Sequence, residues 1–180
     1  MWSGWRWVGA LGIMLALVGN PAAAEVVDAS ASGFSVRTTV EIAAAPDVVY
    51  DALTTGVSKW WDASHSWSGQ AANLSLDPRP GGCLCEKLPG GGVQHMTVVF
   101  ADRGRMLRLS GGLGPLQAMP GNALWTFMFT DVSGRTRLEA TYSAFVRTKD
   151  DLVKLAPLVD QVTGGQITRL KAFIERGRAE

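Results

Sequence analysis

Cys83 and Cys85, the only two cysteines among 180 residues, stand one residue apart, which in an extended segment puts both sulfurs on one face. Cα atoms two residues apart in a strand lie roughly 6.5 Å from each other, at the upper limit for a disulfide, so a bond there is easily reduced and no stable staple. Reading residues 88–92 as a hairpin turn and pairing Glu86 with Gln94 sets Cys85 opposite His95 and Cys83 opposite Thr97. Two sulfurs and an imidazole on one face are three of the four ligands that zinc takes. The residue types leave three readings of the pair open: small buried hydrophobes, a labile disulfide, or a weak metal site made of Cys83, Cys85 and His95. A cysteine nucleophile would need His95 to depress its pKa, and no Asn or Asp is placed as a third member.

The other face of the same hairpin carries Leu84, Met96, Val98 and Phe100. If that face turns inward, Glu86 and Gln94 come with it, and a carboxylate in apolar surroundings is a general acid or base with a raised pKa. The simpler expectation leaves both at the wet end of the hairpin, because residues 89–92 form a solvent-facing turn. Trp60, Trp61, Trp67, Trp125, Phe127, Phe129 and Tyr142 supply much of the aromatic surface. Trp125, Phe127 and Phe129 share one strand face, a stripe that reads as core and, in a fold enclosing a cavity, as pocket wall too. His65 lies in a polar loop between Trp61 and Trp67, on the surface or at a pocket entrance. Arg103, Arg105, Arg108, Arg135 and Arg137 flank turns, as solvated charges do.

These residues sit in a regular order of elements. Residues 34–42 alternate apolar and polar, the period of a half-buried strand. Pro46 opens a short helix at a first-turn position, and residues 57–61 suggest a second. Turn signals then cut residues 72–146 into six further strands, at 72–77, 83–88, 93–101, 106–110, 123–131 and 136–146. Residues 111–121, rich in Gly and Pro, read as a long loop. Leu155, Val159, Val162, Gln166, Leu170 and Phe173 recur at helical spacing, and Pro157 places the start of that amphipathic helix near Ala156. Gly164 and Gly165 within it cost roughly 1 kcal/mol each relative to Ala, which a close approach to the sheet or a space above it would explain.

Residues 1–24 combine Arg6, an uncharged apolar run over 8–19 and Ala22-Ala23-Ala24 before Glu25, the pattern of a secretory signal cleaved between Ala24 and Glu25. The run is 12 residues, too short to span a bilayer, and no other stretch comes nearer, so the mature chain is expected to lack a spanning segment and to be periplasmic or secreted. Residues 25–33 read as a short linker and 34–177 as a single domain. Hydrophobic residues at 47% with charged residues at 18% describe a globular chain. Without the leader its formal charge is zero, sixteen basic against sixteen acidic residues, which removes the electrostatic support for a nucleic-acid partner. Nothing resembles a phosphate loop, and no cofactor is indicated.

One strand, two short helices, six antiparallel strands and a long C-terminal helix is an α+β order that resembles the helix-grip fold of the SRPBCC superfamily, which includes START lipid-transfer domains and the birch-pollen-allergen family. Residues 40–53 (VEIAAAPDVVYDAL) resemble its opening strand and proline-led helix. Trp60-Trp61 and residues 77–82 (DPRPGG) resemble the branch of heat-shock ATPase activator-like and polyketide-cyclase-like proteins. The resemblance, covering roughly residues 34–177, implies a curved sheet of about seven strands around the last helix, with a cavity between them. It also implies a hydrophobic or amphipathic small-molecule partner, although the superfamily shares no universal catalytic residue. Trp60, Trp61, Trp67, Met96, Val98, Trp125, Phe127, Phe129 and Tyr142 are the expected lining. Binding is the first expectation. Its rivals are a cyclase or dehydratase using Glu86, His95 or Tyr142 for proton transfer, a redox or metal-responsive protein built on the cysteines, and an interaction protein docking a client.

Overall fold

The computed structural model describes residues 23–179; the leader over 1–22 lies outside the described residues. Inward positions of the second strand are Phe34, Val36, Thr38, Val40 and Ile42, all buried, so the alternation visible in the sequence is the two-residue period of a sheet with one covered face. That sheet has eight strands: β1 Ala23–Ala29, β2 Gly33–Ile42, β3 Leu74–Leu76, β4 Cys83–Leu88, β5 Gly91–Asp102, β6 Met106–Gly111, β7 Gly121–Val132 and β8 Arg135–Val146. They run antiparallel in the order β1-β2-β8-β7-β6-β5-β4-β3. Two short helices, α1 Pro46–Thr54 and α2 Val57–Trp60, carry the chain from β2 to the far edge at β3. From there it meanders back until β8 pairs with β2 along its whole length, from Gly33 opposite Phe145 to Ile42 opposite Thr136. The curved sheet holds α3, Leu152–Arg176, against β2 and β1.

Three elements depart from the sequence reading. Residues 25–33 contain no simple linker: from Ala23 to Ala29 the chain adds an edge strand to β2, with a bulge between Val26 and Asp28. Glu25, Val26, Val27 and Asp28 are all exposed, so this stretch has no burial alternation to betray it. Helix α3 begins at Leu152 rather than near Ala156. Asp151 caps it by accepting the Val153 N–H, and Leu152 is fully buried, while Pro157 lies on the exposed side, where water can serve the carbonyl it leaves free. The stretch 111–121 is not wholly irregular, since Gly114–Ala118 makes a turn of 3-10 helix.

Gly164 and Gly165 divide the two roles offered for them. A Cβ at Gly164 would touch the Ala24 methyl and the Thr38 hydroxyl, both at 3.3 Å, so this glycine lets α3 approach the sheet. Gly165 has open space around it.

Candidate functional site

The β4–β5 hairpin decides which side chains reach the interior. Cys83 pairs with Thr97 and Leu84 with Met96, but Cys85 then pairs with Gln94 and Glu86 with Val93. His95 is the additional residue of a β-bulge, which rotates it onto the covered face beside Met96; both are buried. The expected pairing of Cys85 with His95 is therefore replaced, and the imidazole turns away from the sulfurs. Gln94 stays exposed for the same reason. A second register shift, between Val98 and Phe100, leaves Phe100 exposed instead of continuing the apolar set.

Glu86 is not at the wet end of its hairpin: its side chain is fully buried. Its carboxylate accepts three hydrogen bonds, from the Trp67 N–H (3.1 Å), the Ser68 N–H (2.5 Å) and His95 Nε2 (2.9 Å). Burial pushes its pKa up, but the bonds from Ser68, Trp67 and His95 outweigh burial and hold it below the usual carboxylate range. A carboxylate only accepts, so in its bond with Glu86 the His95 Nε2–H is the donor. Nδ1 of the same ring is buried and has no hydrogen-bond partner among the described residues.

His95 forms part of the wall of a cavity of about 440 Å³ between the sheet and α3. The helix contributes Leu155, Leu158, Val159, Val162, Thr163 and Gln166; the segment after α2 contributes Trp61 and residues 64–67; the stretch 113–116 and the sheet residues Trp125 and Tyr142 complete it. The wall is mainly apolar, and its polar groups are held in place. Gln166 accepts the Asp62 N–H (2.9 Å), and Trp61 Nε1 donates to the His65 carbonyl (3.1 Å). The Tyr142 hydroxyl accepts the Leu113 N–H (3.2 Å). Burial pushes its pKa up to about 12, against the lowering effect of the Leu113 bond, so it remains a phenol with a proton to donate. Trp125 Nε1 is buried and without a partner among the described residues.

Of the residues expected to line a cavity, Trp61, Trp67, Trp125 and Tyr142 do so. Trp60 donates to the Ala52 carbonyl (2.9 Å) and, with Phe127, borders only a void of about 10 Å³ on the α1–α2 side. Met96, Val98 and Phe129 pack in the core away from the cavity. His65 is exposed and sits on its wall. The sequence supplied the α3 stripe but not its orientation, and it gave no signal for the bulge that brings His95 inward.

Cys83 and Cys85 are joined in a disulfide with Cα atoms 5.4 Å apart, and both are half-buried on the face opposite Leu84 and Glu86. The sulfurs and His95 do not come together, and no cluster of three potential metal ligands occurs among the described residues. Among these residues no helix is long and apolar enough to cross a membrane.

A curved antiparallel sheet gripping a C-terminal helix over an internal cavity defines a helix-grip domain, a class whose members typically bind ligands. The chain belongs to the activator of Hsp90 ATPase homolog 1-like protein family, which it matches over residues 43–175, and with it to the SRPBCC superfamily. Among solved structures it is similar to an uncharacterised protein from Rhizobium leguminosarum (20% identity, 87% of this chain and 99% of that one, TM-score 0.58). It is also similar to a conserved protein of unknown function from Enterococcus faecalis (15%, 87% and 78%, 0.55). A third is the Aha1 dimer from Colwellia psychrerythraea (18%, 79% and 97%, 0.51). At these identities the likeness is one of fold. No curated protein matches the chain.

Proposed function

We propose that the protein is an exported carrier of a hydrophobic or amphipathic small molecule, held between the sheet and α3. The observation that carries this reading is the cavity itself: about 440 Å³ in a domain of this size, within the range of ligand sites and far above the voids that ordinary packing leaves. Burying an apolar ligand there contributes roughly 25 cal/mol per Å² removed from water. Trp67 and Leu158, exposed yet on the wall, form an apolar rim through which a ligand can enter. Export rests on the leader pattern. Cleavage after Ala24 would keep the pairs that Glu25 to Ala29 make with β2.

Protein recovered from the exported fraction is expected to begin at Glu25 and to take up N-phenyl-1-naphthylamine, a neutral apolar fluorophore, with saturable fluorescence enhancement. Val162→Trp, which fills the cavity from the helix side, should abolish uptake while leaving the far-ultraviolet spectrum unchanged. Uptake unaffected by Val162→Trp would remove the cavity from the account, and a chain still starting at Met1 would remove export.

A further inference from the structure

The cavity wall carries no lysine, arginine, aspartate or glutamate among the described residues. Its two histidines do not supply the missing charge. His65 is exposed to water, and His95 faces the Glu86 carboxylate at 2.9 Å, so that pair offers no net positive charge whichever protons the ring holds. The aliphatic hydroxyls of the wall are engaged as well: Ser64 donates to Asp62 Oδ1 (2.8 Å), Ser66 to the Ala63 carbonyl (2.8 Å) and Thr163 to the Val159 carbonyl (2.8 Å). Gln166 differs. Its Oε1 accepts the Asp62 N–H (2.9 Å), which fixes the orientation of the amide and leaves Nε2, a donor, as the other end. Nε2 makes no hydrogen bond among the described residues, and unlike His95 Nδ1 and Trp125 Nε1 it is not closed to water. In a side chain that is otherwise covered and lies on the wall, this nitrogen is the part left open.

Resting on the carrier reading for the presence of a ligand, we propose that the cavity selects an uncharged apolar molecule bearing a carbonyl, whose oxygen accepts a hydrogen bond from Gln166 Nε2. Charge decides the first part. An ionised carboxylate or phosphate drawn into this chamber leaves water and meets no cation, and burial of that kind costs far more than burial of a neutral oxygen. An ammonium likewise meets no carboxylate on the wall. Fatty acids and phospholipids are therefore poor occupants despite their apolar chains. The amide decides the second part. A hydrocarbon that covers Nε2 strips its water and returns nothing, whereas a carbonyl replaces the lost bond. The site therefore favours a ketone over the hydrocarbon of the same shape, the reverse of what apolar area alone gives. Trp125 and Tyr142 on the sheet and Leu155, Val159 and Val162 on the helix supply the apolar surface on either side of such a ligand.

The test is equilibrium dialysis of the purified protein against three compounds of similar shape, 2-acetylnaphthalene, 2-ethylnaphthalene and 2-naphthoate, with the infrared carbonyl band of the bound ketone recorded alongside. The wild-type chain should hold the ketone at least as tightly as the hydrocarbon and the anion about 100-fold more weakly. The carbonyl band should lie at lower frequency than in an alkane solvent. Gln166→Leu should keep the hydrocarbon and lose about 10-fold in affinity for the ketone, the upper end for one neutral hydrogen bond. An unchanged ratio of ketone to hydrocarbon affinity in that variant overturns the role of the amide. If the variant fails to fold and binds neither, the wild-type band decides, since a carbonyl unshifted from its position in alkane overturns the hydrogen bond. Naphthoate bound as tightly as the ketone overturns the selection by charge. Hydrocarbon bound with the ketone rejected overturns this inference and leaves the carrier standing; none of the three bound overturns the carrier and this inference with it.

Discussion

Glu86 accepts three hydrogen bonds in a position that water does not reach, so its ionised form is worth more folded than unfolded. Bonds to a charged group each contribute about 1.5–3 kcal/mol, against the cost of burial. Glu86→Gln keeps an oxygen for one donor but turns an amide toward the others, and it should lower stability by about 1–3 kcal/mol at neutral pH. The pH dependence follows from the lowered pKa. A carboxyl depressed in the folded state stabilises fully above its ordinary value of 4.5 and loses that contribution as pH falls from there through the folded value. Urea unfolding across this interval should show the wild-type advantage over Glu86→Gln constant above 4.5 and shrinking below it. A difference that does not change with pH would mean the carboxyl is not ionised in the fold. Glu86, His95 and Tyr142 were legible as titratable residues, and that is as far as residue types go. The pairing of Glu86 with His95 was not legible, because it depends on one inserted residue that a strand pattern does not register.

At the scale of elements, strands with one wet face announced themselves and the exceptions did not. The alternations that became β2, β7 and β8 read directly from residues 34–42, 123–131 and 136–146, since a covered face forces a two-residue period. The edge strand β1 is exposed from Ala24 to Asp28 and carries no such period. The bulge in β5 alters the phase of the pattern without altering its composition, so the same residues fitted a regular hairpin with His95 on the sulfur side. Helix α3 was legible in its stripe, but its start depended on the Asp151 cap together with the burial of Leu152 and Ala156. The two glycines of α3 supply a contrast that tests the packing. Gly165→Ala, in open space on the exposed side, should stabilise by about 1 kcal/mol through helix propensity alone. Gly164→Leu must displace the helix from Ala24 and Thr38 and should destabilise by about 1–3 kcal/mol, the usual range for overpacking. Equal effects at the two positions in urea unfolding would dismiss the close approach as the reason for Gly164.

The whole molecule is unevenly consolidated, and the cavity lies on the looser side. Beyond Gln166, α3 buries Ile167, Leu170 and Ala172 against the sheet, and Arg169 Nε donates to the Trp60 carbonyl (3.0 Å). Before it, Leu152, Ala156 and Thr163 are buried as well, but Leu155, Val159 and Val162 are half-buried and Leu158 is exposed where they border the cavity. Segments that border empty space open at lower free energy than the core, so the cavity-facing turns of α3 and the 64–67 segment are the parts whose movement would admit the proposed ligand. A ligand that binds only the folded state adds about 2.7 kcal/mol of stability at a hundred times its Kd, and within the native state it should quiet the openings it blocks. Hydrogen exchange with saturating N-phenyl-1-naphthylamine is expected to slow at residues 64–67, 113–116 and 155–163, with β2, β8 and residues 167–174 unchanged. The sheet's outer face offers the fluorophore a competing surface at the exposed Leu124, Met128 and Phe145. Protection confined to those positions would place binding there and leave the cavity without an occupant.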